Sequence, residues 1–134
     1  MSVIPESHHD LTEQPVGILA TVGRDGRPQL SAVWFLVDGD TIGVSLNSTR
    51  QKTKNLENNP AVNLFILDPS TRRYLELRGD ATIEADDEYA FADQVGAKYG
   101  GVDLRNMDRP GERRVKVTVR PVRVNAIDMT RPSE

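Results

Sequence analysis

Short stretches in which apolar and polar residues alternate recur along most of this 134-residue chain. The clearest is TIGVSLN at 41–47, where Ile42, Val44 and Leu46 would share one face and the intervening residues the other. A period of two residues places successive side chains on opposite faces of a β-strand. The chain is therefore predicted to be mainly β, with strands that bury one face in a core.

Six segments are predicted to be strands, because β-branched and apolar residues fill them and turn residues such as Asp-Gly separate several of them. They are 16–23, 29–37, 41–47, 61–68, 73–84 and 113–128. Gly79 interrupts the fifth strand and predicts a bulge or bend there. The alternation of valines changes parity after Pro121, which predicts a bulge in the last strand.

Two segments have the composition of helices. The segment 49–58 follows Ser48 and Thr49, either of which is a good N-cap. The segment 86–99 opens with three acidic residues, which favour a helix N-terminus, and stops at Gly100. Because six antiparallel strands crossed by two helices leave no exposed edge when they close, we predict a small closed or nearly closed barrel. A two-layer α+β sandwich is the alternative.

The composition limits the class of protein. The length suits one domain, 1–134, for which we expect a core at about 10–128 and polar termini. The formal charge of −3 argues against general nucleic-acid binding, and the lack of cysteine excludes disulfides and thiolate metal sites. No apolar run approaches a membrane span, so a soluble cytoplasmic protein is expected. His8 and His9 are predicted to lie at the surface, and no metal site is expected.

A cluster of cations stands out in this acidic chain. Arg50, Lys52 and Lys54 occupy every second position at the start of the predicted helix 49–58. A helix N-terminus has unpaired N–H groups and a positive end of the macrodipole, so it favours an anion there. The order of strand, capping residue and cations predicts a phosphate site. A solvated helix face, with Lys54 paired to Glu57, is the alternative.

Three stretches of the sequence resemble a known family. They are GILATVGRDGRPQLSAVWF, STRQKTKNLENNPAVNLFI and YLELRGDATI, followed by a valine-rich last strand. Together they are similar to the pyridoxamine 5′-phosphate oxidase-like split β-barrel flavoproteins over residues 10–128. Within that family the chain looks most like the actinobacterial branch that uses coenzyme F420, a 5-deazaflavin. The longer arginine and lysine signature for FMN in pyridoxamine-phosphate oxidases is absent, which favours F420 over FMN.

The resemblance implies a six-stranded antiparallel split barrel that forms a homodimer, with the cofactor in a groove near the subunit interface. At the matching positions, Arg50 and Lys52 would contact the phosphate. Ser48, Thr49 and Asn55 would be neighbouring hydrogen-bonding groups. Gln29, Ser31 and Val33 would lie along the ring. Lys54 would reach the acidic tail or the rim. Arg72 and Tyr74, at a strand start where a barrel's ligand loop lies, are further candidates, with a solvated turn as the alternative. Trp34 is predicted to pack in the core or at the dimer interface rather than against the ring.

The activity that the resemblance implies is an F420-dependent reduction. Reduced deazaflavin would transfer a hydride to a small unsaturated or heteroaromatic substrate, and no catalytic side chain of the protein is assigned. Two alternatives stay open, namely an FMN-binding relative of pyridoxamine-phosphate oxidase and a flavin or F420 carrier without turnover. The expected partners are a small-molecule substrate and a second copy of the chain, with neither nucleic acid nor membrane.

Overall fold

A computed structural model describes residues 3–132. Within them the chain forms seven strands, two α-helices and two 3₁₀ helices. The strands are β1 Gly17–Val22, β2 Pro28–Val33, β3 Leu36–Asp38, β4 Thr41–Asn47, β5 Ala61–Asp68, β6 Arg73–Ala85 and β7 Arg114–Asp128. The α-helices are α1 Gln51–Asn58 and α2 Ala90–Lys98, and the 3₁₀ helices are Glu6–Glu13 and Leu104–Met107. None of these helices is long and apolar enough to cross a membrane.

All seven strands belong to one antiparallel sheet in the order β2-β1-β5-β6-β7-β4-β3. The two edge strands, β2 and β3, are separated in sequence only by Trp34 and Phe35. The sheet must therefore curl until its edges meet at this junction, although β2 and β3 do not pair with each other in the described residues. The prediction of a mainly β, antiparallel architecture is confirmed, but the six-stranded barrel is wrong: the sheet has seven strands and is not closed.

The extra strand arises because the predicted strand 29–37 breaks at Trp34 and Phe35. At this point the backbone forms hydrogen bonds with side chains from the C-terminal end of α2 and not, within the described residues, with a neighbouring strand. The Phe35 N–H donates to the Tyr99 hydroxyl at 3.1 Å, and the Lys98 ammonium donates to the Phe35 carbonyl at 2.9 Å. Residues 32–37 on both sides of the break are all apolar, so the sequence pattern does not reveal it.

The core lies on the inward face of the curled sheet. Its fully buried side chains come at alternating strand positions: Leu19, Ile42, Val44, Leu64, Ile66, Leu75, Leu77, Val117 and Val119. The irregularity predicted at Gly79 is confirmed, because the register of β6 and β7 shifts between Arg78 and Gly79, opposite Pro121. A Cβ atom at Gly79 would collide with the Arg120 carbonyl, so the close approach of the two strands requires glycine.

Both α-helices begin later than predicted. Helix α1 begins at Gln51 with Arg50 as its N-cap, and neither Ser48 nor Thr49 caps it. Thr49 is unavailable because its N–H donates to Asn47 Oδ1 at 2.8 Å and its hydroxyl shares its one hydrogen between Asn47 Oδ1, at 2.6 Å, and Glu112 Oε2, at 3.0 Å. The second helix begins at Ala90 rather than at 86, preceded by a left-handed Tyr89.

The N-terminal segment is more structured than its polar composition predicts. Ile4 and Leu11 are buried in the main core, and Glu6–Glu13 forms a 3₁₀ helix. His9 is exposed, as predicted, but His8 is buried, so the surface prediction for His8 is wrong. Its ring is satisfied in the interior, with Nε2 2.9 Å from the Ile127 carbonyl and Nδ1 2.8 Å from the Ser7 hydroxyl.

Candidate functional site

A cavity of about 450 Å³ opens where the end of β4 meets α1. This volume lies within the usual range for small-molecule sites. One wall is apolar and contains Trp34, Val95, Leu104 and Met107. The other side is charged and contains Arg50, Lys52, Arg109, Glu112 and Arg114. We call it the α1 cavity.

Lys52 is the most unusual residue of the α1 cavity. It is only 8% exposed, yet its ammonium forms neither a hydrogen bond nor an ion pair with residues 3–132. Burial lowers its pKa, and the nearby charge of Arg50 lowers it further. A buried cation without a counter-charge is costly, and a bound anion would remove that cost.

The backbone at the start of α1 adds to this positive site. Among the described residues, the N–H groups of Gln51 and Lys52 have no protein acceptor, as expected for the first turn of a helix. These groups and the macrodipole favour an anion in front of the helix. Lys52 therefore brings an unpaired ammonium to the α1 cavity at the start of the helix, while the side of the helix start with Gln51 lines the neighbouring groove.

The three clustered cations do not act as one group. Arg50 is exposed and lines the α1 cavity together with Lys52. Lys54 lines a separate groove with Arg24 and Glu57. In the part of the chain that the structure describes, Lys54 forms no ion pair with Glu57, so the anticipated pairing within the helix is absent.

Four of the ten residues predicted to contact a cofactor line the α1 cavity: Val33, Thr49, Arg50 and Lys52. Gln29, Ser31, Ser48, Asn55, Arg72 and Tyr74 do not line it. Tyr74 instead packs on Phe65 with ring centroids 5.0 Å apart, on a different part of the sheet. Arg72 is an exposed turn residue with a φ of 56°. The cofactor roles of all ten residues stay predictions.

Asn55 and Gln29 hold α1 on the sheet. Asn55 is buried, and its Nδ2 donates to Gln29 Oε1 and Thr21 Oγ1, both at 3.1 Å. Gln51 Nε2 donates to Asn55 Oδ1 at 2.8 Å. Since α1 is only eight residues long, these bonds fix the direction of its N-terminus.

Ser48 and Ser31, the two serines predicted to contact the cofactor, differ in their hydrogen bonding. The Ser48 hydroxyl accepts from the Arg113 N–H at 3.1 Å, so it ties β4 to the start of β7. The Ser31 hydroxyl is buried and has no partner among the described residues. A buried hydroxyl without a partner is uncommon in folded proteins.

A buried ion pair at the α1 cavity, which Arg114 lines, was not predicted from the sequence. Asp108 and Arg114 form a salt bridge whose side chains are 4% and 5% exposed. Asp108 also accepts from Asn47 Nδ2 and from the Tyr89 hydroxyl, each at 2.8 Å. Burial by itself raises the pKa of Asp108, but the bonds from Arg114, Tyr89 and Asn47 outweigh it and lower that pKa. The loop sequence gave no periodic signal that could have identified this pair.

Glu112 joins the two sides of the α1 cavity. Its carboxylate accepts from Thr49 Oγ1 at 3.0 Å and from Asn47 Nδ2 at 3.2 Å, on the β4–α1 side. It also accepts from the Arg109 N–H at 2.7 Å, in the α2–β7 loop (residues 99–113). The bond to the Arg109 N–H, followed by that from Thr49, lowers the pKa of Glu112. One carboxylate therefore fixes the strand-to-helix junction against the loop.

Trp34 contributes the aromatic part of the apolar wall. It is half-buried and packs with the smaller cluster around Phe91 and Val95 rather than with the main core. Its packing against this buried cluster agrees with the predicted core role, and a place at the dimer interface stays a prediction; the indole also lines the α1 cavity. No group of three or more His, Asp or Glu side chains in residues 3–132 is arranged to hold a metal ion.

Comparisons with known proteins agree with this architecture. The family model described as pyridoxamine 5′-phosphate oxidase matches residues 4–126. A solved structure named F420 reductase is 37% identical in sequence and has a TM-score of 0.80; the match spans 91% of this chain and 98% of the chain of that structure. The structure of a conserved hypothetical protein from Mycobacterium tuberculosis is 28% identical in sequence and has a TM-score of 0.76; the match spans 98% of this chain and 91% of that chain.

A more distant structure shares the fold. It is a pyridoxamine 5′-phosphate oxidase-related, FMN-binding protein from Nostoc punctiforme. Its sequence is 19% identical, the match spans 98% of this chain and 88% of that chain, and the TM-score is 0.70. The single curled antiparallel sheet, which does not close, is a fold of the split-barrel type. The chain belongs to the pyridoxamine 5′-phosphate oxidase family.

Proposed function

We propose that this protein binds coenzyme F420 in the α1 cavity and acts as an F420-dependent reductase. The observation that carries the proposal is Lys52, a largely buried side chain that lines the α1 cavity and whose ammonium has no partner among residues 3–132, beside the N-terminus of α1. The 37% identity to a protein named F420 reductase supports the choice of cofactor. The substrate class is a small unsaturated or heteroaromatic molecule.

The residues present fit a phosphate-bearing ring cofactor. Lys52, Arg50 and the N–H groups of Gln51 and Lys52 would hold the phosphate, since charge-assisted bonds to an anion are each worth about 1.5–3 kcal/mol. Trp34, Leu104 and Met107 offer an apolar surface for a planar ring. Because Arg50 is exposed, a long anionic tail could leave the cavity past it into solvent.

When bound, the deazaflavin supplies the hydride chemistry, as cofactors of this kind do. The part of this chain is to bind and orient. The N-terminus of α1 fixes one end of the ligand, and its own direction is fixed by Asn55 and Glu112. The apolar wall excludes water from one side of the ring, and the opening of the cavity admits a substrate.

FMN is the second candidate, because the same phosphate site would suit its single terminal phosphate and because the family includes FMN-binding proteins such as that from Nostoc punctiforme. A carrier that binds either cofactor without turnover would use the same residues. The purified protein should be titrated with F420 and with FMN, whose visible absorption spectra differ. We expect tighter binding of F420, and oxidation of reduced F420 when an unsaturated acceptor is added. Tight binding of FMN alone would contradict the choice of F420, and binding without turnover of any acceptor would favour the carrier.

We also propose that the protein works as a homodimer with a small-molecule substrate. The outer face of β5–β7 supports this proposal, since Leu67 and Ile127 are exposed apolar residues beside the Phe65–Tyr74 ring pair. Exposed apolar patches of this kind often mark interfaces, and a symmetric dimer would join one patch to its copy. Light scattering at micromolar concentration should give the mass of two chains, and a single-chain mass with F420 present would contradict it.

A further inference from the structure

Arg109 differs from its neighbouring arginines in its bonding. Four arginines lie between positions 105 and 114, and three of them are ion-paired: Arg105 with Asp93 and Asp103, Arg113 with Asp87, and Arg114 with Asp108. The Arg109 guanidinium forms no hydrogen bond or ion pair with the described residues, and it lines the α1 cavity. The one unpaired guanidinium of this segment therefore faces the cavity.

The backbone of Arg109 is held in place although its side chain is exposed. Its N–H donates to Glu112 Oε1 at 2.7 Å, and the preceding residue is the buried Asp108. The following residue, Pro110, restricts the chain further. A cation on a fixed backbone at a cavity mouth loses less entropy on binding than one on a free loop, so the position is suited to recognition.

The Arg109 site is separate from the site at the start of α1. The Glu112 carboxylate accepts from Thr49, the neighbour of Arg50, and from the Arg109 N–H, so it lies between the start of α1 and the backbone of Arg109. A single anion placed to contact both groups would also face this carboxylate, which would repel it. Two anions, one on each side of Glu112, avoid that repulsion.

The surface near Arg109 in the same loop is apolar. Leu104 and Met107 precede it and line the cavity together with Trp34 and Val95. A ligand that fits both features has a flat apolar body and one anionic group at its edge. We infer that Arg109 binds the carboxylate of a planar, largely apolar substrate that enters the α1 cavity. This inference rests on the proposed function, because it assigns the substrate class of that same site.

The test compares an acid with its neutral amide. Trans-cinnamate and trans-cinnamamide have nearly the same shape and differ in charge, and both should be titrated by calorimetry into the F420-loaded protein. We expect the parent protein to bind the acid at least about tenfold more tightly, as one charge-assisted contact provides. Arg109→Gln should reduce that preference to less than about twofold. The matched control is Arg105→Gln, which removes an arginine of the same loop that is paired and does not line the cavity, and it should keep the preference.

Three results would overturn the inference: equal binding of acid and amide by the parent, an unchanged preference in Arg109→Gln, or an equal loss in Arg105→Gln. A fourth concerns the cofactor, whose tail also carries carboxylates. If Arg109→Gln weakens F420 binding but leaves cinnamate binding unchanged, Arg109 serves the cofactor and the assignment to substrate is wrong. If neither F420 nor FMN binds, the proposed function is wrong, whatever the role of Arg109. Cinnamate and cinnamamide, titrated into the cofactor-free protein, still decide that role.

Discussion

Trp34 lies flat on Tyr99, with ring centroids 4.3 Å apart and 7° between the ring planes. This pair joins the β2–β3 junction to the last turn of α2, because the Tyr99 hydroxyl also accepts from the Phe35 N–H. The same indole lines the α1 cavity. The break in the predicted strand and the apolar wall of the cavity therefore have one structural cause.

Tyr99→Leu is expected to lower the free energy of unfolding by about 1–3 kcal/mol, because it removes both the ring stacking and the hydrogen bond to Phe35. Tyr99→Phe is the matched control. It keeps the stacking and should cost only about 0.5–1.5 kcal/mol. Urea denaturation followed by the fluorescence of Trp34, the single tryptophan, measures both. Equal losses in the two variants would show that the stacking contributes nothing.

The sequence predicted the parts of the fold that depend on residue alternation. The inward faces of β4, β5 and β7 and the irregularity at Gly79 followed from periodicity and from glycine. The break at Trp34 could not be predicted, because partners from α2 cause it and the local pattern is continuous. His8 was missed for a similar reason, since its acceptor, the Ile127 carbonyl, lies 119 positions away in the chain.

The candidate site was predicted only where it is local. Arg50 and Lys52 were found because strand, turn and helix follow one another within a few residues. The sequence does not show at which residue α1 begins, so it could not predict which of the cations face the cavity. In the structure Lys52 lines the α1 cavity and Lys54 lines another groove. Asp108, Arg109 and Glu112 come from a loop without periodicity, so only the folded structure brings them to the cavity.

Arg50→Ala is expected to weaken F420 binding by about 1.5–3 kcal/mol, a factor of roughly ten to a hundred or more. Lys54→Ala removes a cation of the same helix that lies outside the α1 cavity, so its effect should be smaller. The difference should shrink as salt is added, because exposed charges are screened. Spectroscopic titration with F420 measures both constants. An unchanged affinity in Arg50→Ala would indicate a solvated arginine.

Lys52→Met is expected to weaken F420 binding at least as strongly but to stabilise the free protein. The folded state lowers the pKa of Lys52, so below that pKa the buried ammonium costs stability. Methionine removes this cost, and the free energy of unfolding at neutral pH should rise by on the order of 1 kcal/mol.

The pH dependence gives a second check on Lys52. The unfolded chain binds more protons than the folded one between the lowered pKa and the ordinary value of 10.5. The stability of the parent should therefore rise toward alkaline pH and approach that of Lys52→Met. Urea denaturation at several pH values measures this. A variant that is less stable than the parent at neutral pH would mean that Lys52 has a partner in solution.

Asp108→Asn is expected to lower the free energy of unfolding by about 3–5 kcal/mol, because Arg114 would stay buried without its counter-charge. The folded state lowers the pKa of Asp108, so the stabilisation is complete above the ordinary pKa of 3.8 and is lost as pH falls through the lower folded value. The variant should lack that part of the acid dependence. Asp87→Asn, which breaks the exposed pair with Arg113, should cost less than about 1 kcal/mol in the same assay.

Replacements of Glu112 distinguish its charge from its hydrogen bonds. If only its negative charge mattered, Glu112→Gln and Glu112→Ala would both bind F420 more tightly than the parent, because each removes repulsion of the anion. We expect a different order. The Gln amide oxygen, at the place of Oε1, can accept from the Arg109 N–H, and its NH2 group, at the place of Oε2, can donate to the Thr49 hydroxyl. This variant should therefore bind as tightly as the parent or more tightly.

Glu112→Ala loses the three bonds of Glu112 between the strand-to-helix junction and the α2–β7 loop, although the Asn47–Asp108 bond remains. Its affinity for F420 should therefore fall, by up to about tenfold, despite the lost repulsion. The affinity is measured by titration under conditions where urea curves show each variant to be fully folded, which separates positioning from stability. Inorganic phosphate, titrated as a competitor, should follow the same order, because its site is the start of α1 alone. Tighter binding by both variants would show that Glu112 acts on the site through charge and does not position it.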